Sequence, residues 1–415
     1  MLIRFQASNY RSLAEPAELS LVAVDRDRPA ARAQEPFGES LLAVAGIYGP
    51  NASGKSNVVS ALAWLCDAVA LSLRTWEDEI PRDPFAFQEA DQPSTFELEM
   101  TVDGVRFEYI LETGSTEVSY EALFHYPKRY RRRVFEREGM NVRFQPGVSG
   151  QVGIRELLTQ RTLVLSAARR FEDPLIRGFA DQLIRCQIVG LIQRDPRGLV
   201  RFRRRSPLPT SLHFDGEWPP PLFGAPSQAL AMLRMADLGI EDVEFVEDEV
   251  DHEPDASSRG RRRIRFLHGS PSGQQPLELA QESQGTQAWI NLIGYVLDAL
   301  SRGSLLIVDE LDGSLHPTLS AAVLRLFCDP STNPQGAQLV FTAHDVSLLD
   351  HLNRDEVWFT EKQSDGSTRL GALAEFAGER VRKSKDLRSA YLRGKFGALP
   401  EVDRTELLRA LGLIG

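Results

Sequence analysis

Three cysteines, Cys66, Cys186 and Cys328, are too few and too scattered for a zinc site or a disulfide framework. Their scarcity fits a reducing compartment, and the expected location is the cytoplasm. There is no long heptad run, so any arm on this chain is short and globular, and there is no internal repeat. The opening MLIRFQASNYRSL lacks a secretory apolar region and alternates apolar with polar residues, as a strand does. The most apolar window, Val58 to Leu73, contains Asp67 and reads as a buried core helix, not a membrane span. With a net charge of −10 the whole molecule is not a nucleic-acid coat, so any such contact must come from local patches. What is present, 42% hydrophobic and 26% charged residues, describes a soluble globular chain. Its length has room for two or three domains' worth of core.

The chain is organised around GIYGPNASGKSNVV, residues 46–59. Gly49, Gly54, Lys55 and Ser56 fill the fixed positions of G-x-x-x-x-G-K-[ST], the phosphate-binding loop. A loop wrapping a triphosphate must bring backbone N–H groups close to its oxygens, and glycine permits that approach. Gly49, Pro50, Asn51, Ala52, Ser53, Gly54, Lys55, Ser56 and Asn57 are therefore the expected ATP contacts. The helix opening at Lys55 adds its positive dipole end. Lys55 supplies a point charge to the β and γ phosphates, and the Ser56 hydroxyl is an expected Mg²⁺ ligand. An apolar strand over 41–47 and a helix over 57–73 supply the required context.

Three further motifs extend the site. LLIVDEL, 305–311, is an apolar strand ending in two carboxylates. Asp309 is expected in the Mg²⁺ shell, with Glu310 beside the γ-phosphate to orient or deprotonate water. ESQGTQAWINLIG, 282–294, sets Ser283, Gly285 and a helix N-terminus together, which is either ordinary capping or a second anion site. LVFTAHD, 339–345, is another buried strand, and His344 would lie at the sheet edge where ligands bind in α/β folds. Asp312 stands where a turn reaches a neighbouring subunit. His316, just before Pro317, suits the first turn of a helix.

Along the chain, 2–24 reads as two strands around SNYRSL, followed by a polar loop over 25–40. A loop over 77–93 holds DPFAFQ, and five alternating runs between 95 and 146 predict an antiparallel β-subdomain. The pattern is helical from 154 to about 191. A basic, proline-rich connector (196–223), a helix near 227–237 and a hairpin near 242–267 with a charged tip follow. The basic runs Lys128–Arg133 and Arg201–Arg205 have two readings. They are a solvated surface balancing the acidic remainder, or a DNA or RNA contact in which Tyr130 or Phe202 stacks on bases.

In this order, GPNASGKS, SQGT, LLIVDELD and TAHD resemble the ABC-type ATPase head of the RecF, SMC and OLD group. NYRSL, DELDGSLHP and YLRGKFGALP resemble, more narrowly, the short AAA/ABC-type ATPases of bacterial phage-defence cassettes. The likeness covers about 1–75 and 275–400. It implies an α/β ABC-type P-loop ATPase head with an antiparallel β-subdomain and a short helical insertion. The expected divisions are 1–94 and 238–415 for the two parts of the head, 95–150 for the β-subdomain and 151–237 for the helical insertion and linker. It further implies a homodimer sandwiching two ATP molecules, with Ser283 and Gly285 of one protomer on the γ-phosphate held by Lys55 and Ser56 of the other. His344 would touch the same phosphate, and Asp312 would cross the interface. The signature is SQGT where transporters have LSGGQ, and no glutamine-loop residue is assigned beyond a guess at Gln88. The implied function is an ATP-switched sensor governing a separately encoded effector in antiviral defence, without membrane contact. The alternative is a RecF-like DNA-repair ATPase. An OLD-type nuclease is set aside because no fitting Asp-x-Asp motif follows His344.

Overall fold

A computed structural model describes residues 1–34, 37–88, 92–194, 200–202, 226–236, 239–247, 262–271, 273–313, 315–376 and 387–392. Two large sheets and one long helix determine where the motifs meet. A six-stranded sheet runs in the order Gln187–Val189, Leu305–Val308, Gln338–Thr342, Val44–Tyr48, Val357–Lys362, Thr368–Ala372. Its first five strands are parallel, and the last turns back antiparallel. The three central strands are buried along their whole length, which a parallel sheet covered on both faces requires. Register pairs Val308 with Phe341 and Thr342 with Ile47, so the carboxyl ends of these strands finish side by side.

A seven-stranded antiparallel sheet joins the N-terminal strands to the middle of the chain. Its order is Asn141–Phe144, Arg132–Glu138, Val118–His125, Val105–Thr113, Ser94–Val102, Leu2–Ser8, Ala17–Ser20. The helix Lys55–Thr75 lies between the sheets. One core unites Phe5, Leu98 and Leu111 of the antiparallel sheet, Val58 and Leu62 of the helix, and Ile307 and Val340 of the parallel sheet. Length and apolarity alone would let this helix cross a membrane, but its most apolar window is mostly buried inside the fold. Trp64 on it stacks against Phe96 with ring centroids 4.5 Å apart. On the other face of the parallel sheet, Trp289 and Ile293 of helix Gln284–Arg302 and Phe327 of helix Pro317–Cys328 pack on Phe341 and Leu306.

Local structure departs from the sequence reading in two places. The expected loop over 25–40 contains a strand, Ala31–Gln34, paired with Glu39–Leu42, and the strand entering the phosphate loop is Val44–Tyr48. The expected helical stretch is three helices, Gln151–Leu157, Val164–Ala168 and Pro174–Ile184, and then a strand. Asp173 caps the third helix by accepting from the N–H groups of Leu175 and Ile176, and Pro174 occupies its first position. The strand Gln187–Val189 completes the edge of the parallel sheet, with Ile188 opposite Ile307. Gly190 ends it at φ +86°, where a Cβ would strike the carbonyl oxygen of Asp309. The expected hairpin is present as Ile240–Glu247 and Arg262–Ser270, with Gly273–Glu278 as a third strand. Its tip, most of the 196–223 connector and all but Tyr391 and Leu392 of YLRGKFGALP lie outside the described residues.

One buried ion pair fastens the antiparallel sheet to the helical insertion. Arg137 and Glu121 are both fully buried, 3.8 Å apart. The Glu121 carboxylate accepts from the N–H groups of Val164 (2.6 Å) and Leu165 (3.0 Å) and from the Tyr109 hydroxyl (3.0 Å). Arg137 donates to the carbonyls of Gly139, Thr159, Gln160 and Thr162. Burial raises the pKa of Glu121, against the pull of Arg137. Arg137→Met should therefore cost about 3–5 kcal/mol, read as a lower urea midpoint. Without the arginine, the folded-state pKa of Glu121 rises further above its ordinary value. The deficit should then be smallest in acid and grow only as pH rises above the already raised folded-state pKa of Glu121 in the wild type, toward the still higher one of the variant.

Candidate nucleotide site

The phosphate loop is held open by contacts that leave no room for side chains. Gly49 has φ +154°, and a Cβ there would come within 2.5 Å of both the carbonyl and the hydroxyl oxygen of Thr360. Gly54 has φ +100°, and a Cβ would overlap the Thr368 hydroxyl. Between them Ala52 takes a left-handed φ of 62°. A relay of side chains fixes this shape. Ser53 Oγ donates to Thr360 Oγ1 (2.6 Å), which donates to the Tyr48 carbonyl (3.3 Å). Thr368 Oγ1 donates to the Ser53 carbonyl (2.8 Å) and accepts from Ser12 Oγ (2.7 Å), which accepts from Asn57 Nδ2 (2.6 Å).

The helix that follows begins without a side-chain cap and without an acidic residue in its first turn. Its leading N–H groups thus face the loop. Lys55 is buried, and its Nζ donates to the carbonyls of Gly49 (2.9 Å) and Pro50 (3.1 Å). Burial lowers its pKa, opposed by the nearby carboxylates of Asp309, Glu310 and Asp312. Ser56 and Asn57 are half-buried, while Pro50 is half-buried and Asn51 and Ala52 are exposed.

The carboxylates at the neighbouring strand end are organised by Thr342, a buried residue that sequence reasoning passed over. Its hydroxyl donates to Asp309 Oδ1 (2.7 Å) and accepts from the Glu310 N–H (2.8 Å), and its carbonyl accepts from the Leu311 N–H (3.0 Å). Glu310 is left-handed, at φ 57°, a conformation that costs a non-glycine residue about 1–3 kcal/mol and persists where the surroundings impose it. Its side chain projects into solvent, with His344 Nε2 4.0 Å from Oε1. Asp312 turns inward in this chain, accepting from the backbone N–H groups of His344 (2.8 Å) and Asp345 (2.5 Å) through Oδ2.

Lys55, Asp309, Glu310, Asp312 and His344 therefore share one sheet edge. Ser283 and Gly285 do not join them by any hydrogen bond among the described residues. Ser283 is exposed and caps helix Gln284–Arg302, accepting from the Thr286 N–H at 3.1 Å. Gln88 is engaged with Gln92, and His316 caps helix Pro317–Cys328 through the Thr318 N–H. In the basic run, Arg131 pairs with Glu108 (2.8 Å) and lies over the Phe124 ring, and Arg133 pairs with Glu136 (2.9 Å). Tyr130, just before Arg131, is 75% exposed. Arg203–Arg205 lie outside the described residues.

The residues present fit a magnesium nucleotide. Two glycines let the loop lie against Thr360 and Thr368 where a Cβ would not fit, and the helix end has no side-chain cap. The lysine is held only by backbone carbonyls, and Ser56 with Asp309 provides the all-oxygen donor set that Mg²⁺ takes.

No curated protein matches this chain. Among solved structures it is similar to the SMC head domain from Thermotoga maritima, at 14% identity and a TM-score of 0.40, covering 89% of this chain and 98% of that one. It is also similar to the Smc head domain with an extended coiled coil bound to the C-terminal domain of ScpA, derived from Pyrococcus furiosus. There the identity is 10% and the TM-score 0.41, with 90% and 97% covered. A family model described as "AAA domain, putative AbiEii toxin, Type IV TA system" matches residues 44–149 and 194–350, more than half of the sequence. The chain belongs to this AAA family of ATPases.

Proposed function

We propose that this ATPase binds and hydrolyses Mg-ATP between two protomers and acts as a switch for a separately encoded effector in antiviral defence. The observation that carries the hydrolytic part is the Thr342 hydroxyl, which ties Asp309 and Glu310 together opposite the buried Lys55. The loop amides and Lys55 bind the β and γ phosphates, the lysine exchanging its two carbonyl partners for phosphate oxygens. Ser56 and Asp309 would hold Mg²⁺, which neutralises charge on the phosphates. Glu310 orients and deprotonates the attacking water, aided by His344 on the same side of the cleft.

The exposed Ser283, which caps the helix behind it through Thr286, suits a phosphate held by a second protomer, because among the described residues it makes no hydrogen bond to the phosphate loop of its own chain. Asp312 supports the same edge by fixing the backbone beneath His344. The defence role draws support from the family description, which speaks of a toxin and a toxin–antitoxin system. A RecF-like repair role has one observation in its favour, the exposed Tyr130 within a basic run.

Thr342→Val should lower kcat about 10- to 100-fold and raise the Mg²⁺ needed for half-maximal turnover, with KM for ATP little changed. A kcat equal to wild type would show that the hydroxyl bridge is only structural. Glu310→Gln should bind ATP without turning it over, and its solution mass should shift from monomer to dimer with Mg-ATP. A mass indifferent to ATP would count against the sandwich. Ser283→Arg should keep nucleotide binding in the monomer and lose turnover, which a titration with a fluorescent ATP analogue beside a phosphate-release assay will resolve. DNA-stimulated turnover without any partner protein would favour the repair reading.

A further inference from the structure

The helix that begins at the phosphate loop ends, 21 residues later, at a cluster of arginines. Arg74 in its last turn, with Arg169 and Arg170 after helix Val164–Ala168, lines a cleft of about 200 Å³ floored by Ala70, Leu73 and Ser166. Part of this cluster is ordinary helix chemistry. Arg169 Nη1 donates to the Ala70 carbonyl at 3.2 Å, answering the negative end of the helix. Arg169 and Arg177 also share Asp181, at 4.0 and 3.6 Å, and Arg177 reaches Glu172 at 3.7 Å.

Those pairings leave charge over. The guanidinium groups of Arg74 and Arg170 are exposed and make no ion pair or hydrogen bond among the described residues. Arg169 Nε is buried without a hydrogen-bond partner. Ser166 is itself buried, and its Oγ accepts from the Leu73 N–H at 3.2 Å, which leaves the hydroxyl hydrogen to donate into the cleft. Burial lowers the pKa of Arg169 most. Asp181 opposes that shift, while Arg74, Arg170 and Arg177 add to it. Three arginines line the cleft, and among the described residues only Arg169 of these meets a carboxylate, that of Asp181; such a lining is complementary to an anion that accepts several hydrogen bonds. Guanidinium forks and a hydroxyl match the oxygens of a phosphate.

We propose that this cleft is a second anion site, separate from the nucleotide loop, that binds the phosphoryl group of a small phosphorylated molecule. Size and field both favour a small ligand. The cleft is below the roughly 300–1,000 Å³ of a site for a drug-sized molecule, and holds a phosphate with little more than a sugar attached. A net charge of −10 confines attraction for a long polyanion to local patches, and among the described residues the basic run at Lys128–Arg133 spends Arg131 on Glu108 and Arg133 on Glu136.

The test uses the full-length Lys55→Ala chain, so that the phosphate loop does not compete, in low-salt buffer without phosphate. Inorganic phosphate and ribose 5-phosphate are titrated in separate calorimetric runs. One saturable site is expected with at least one probe, weakening with salt. Adding Arg74→Glu and Arg170→Glu together should reduce its affinity at least about tenfold. Both residues are exposed and unpaired among the described residues, so the melting temperature should fall by no more than the few degrees that a reversed charge in the last turn of the helix costs, and Arg74→Lys with Arg170→Lys should retain part of the binding. Tighter binding of ribose 5-phosphate than of phosphate would identify an ester as the ligand, and the reverse would identify the free ion. Absence of saturable heat with both probes, or an affinity unmoved by the glutamates, overturns the proposal. So does a single-stranded DNA oligomer whose binding the glutamates abolish while neither small probe binds. Because Lys55 is absent throughout, failure here leaves wild-type ATP turnover, and the reading built on it, untouched.

Discussion

The space a side chain would need at Gly54 is occupied by the hydroxyl of Thr368, and much of the molecule follows from that contact. The nucleotide loop has no regular hydrogen-bond ladder of its own, so its shape must come from outside. Ser12, Thr360 and Thr368 supply it from strands and turns far away in the chain. Each of these bonds contributes about 1 kcal/mol, and a buried series strengthens its members. The result is a cradle set before any ligand arrives, so binding need not also order the loop.

The opposite wall of the cleft works on the same principle. One threonine hydroxyl, Thr342, faces Asp309 as donor and Glu310 as acceptor, and a single rotamer serves both. The left-handed backbone at Glu310 is held by this bond and by the Gly313 N–H closing onto the Glu310 carbonyl at 2.9 Å. Strain at that position lifts the carboxylate away from the sheet while its neighbour Asp309 stays half-buried. Two adjacent acidic residues thereby acquire different surroundings: Asp309 sits in a hydrogen-bonded site suited to a cation, and Glu310 stands in solvent beside His344.

Much of this was legible in the residues alone, for reasons that differ by element. The phosphate loop and the Asp-Glu strand announce themselves because glycine spacing and an apolar run ending in carboxylates are local patterns. The alternating runs after residue 94 do the same for the antiparallel sheet. The braces were not legible. Ser12, Thr342, Thr360 and Thr368 are common hydroxyl residues whose meaning lies in partners that the sequence does not put beside them. Ser12 at least falls within NYRSL, a segment whose other members also turn out to be joints: the Tyr10 hydroxyl meets Ser60 (3.0 Å), and Asn9 binds the backbone of Phe85 (3.0 Å). The short strands Ala31–Gln34 and Gln187–Val189 escaped because four and three residues show no period. Helical spacing ran past its true end for the same reason, since an apolar Ile188 suits a helix or a sheet edge equally well.

The brace between Ser12 and Thr368 spans 356 positions of sequence. On a chain made from one end, that distance becomes a waiting time. The strand Val44–Tyr48 leaves the ribosome long before Gln338–Thr342 and Val357–Lys362, the two strands that flank it. Until they follow, an apolar strand buried at every residue in the finished fold has both hydrogen-bonding edges open. The antiparallel sheet has no such wait, because Leu2–Ser8 finds Ser94–Val102 early, and it offers the helix Lys55–Thr75 a first surface to pack on. A nascent chain cut short before Thr368 would thus carry every residue of the phosphate-binding motif without having a phosphate-binding loop.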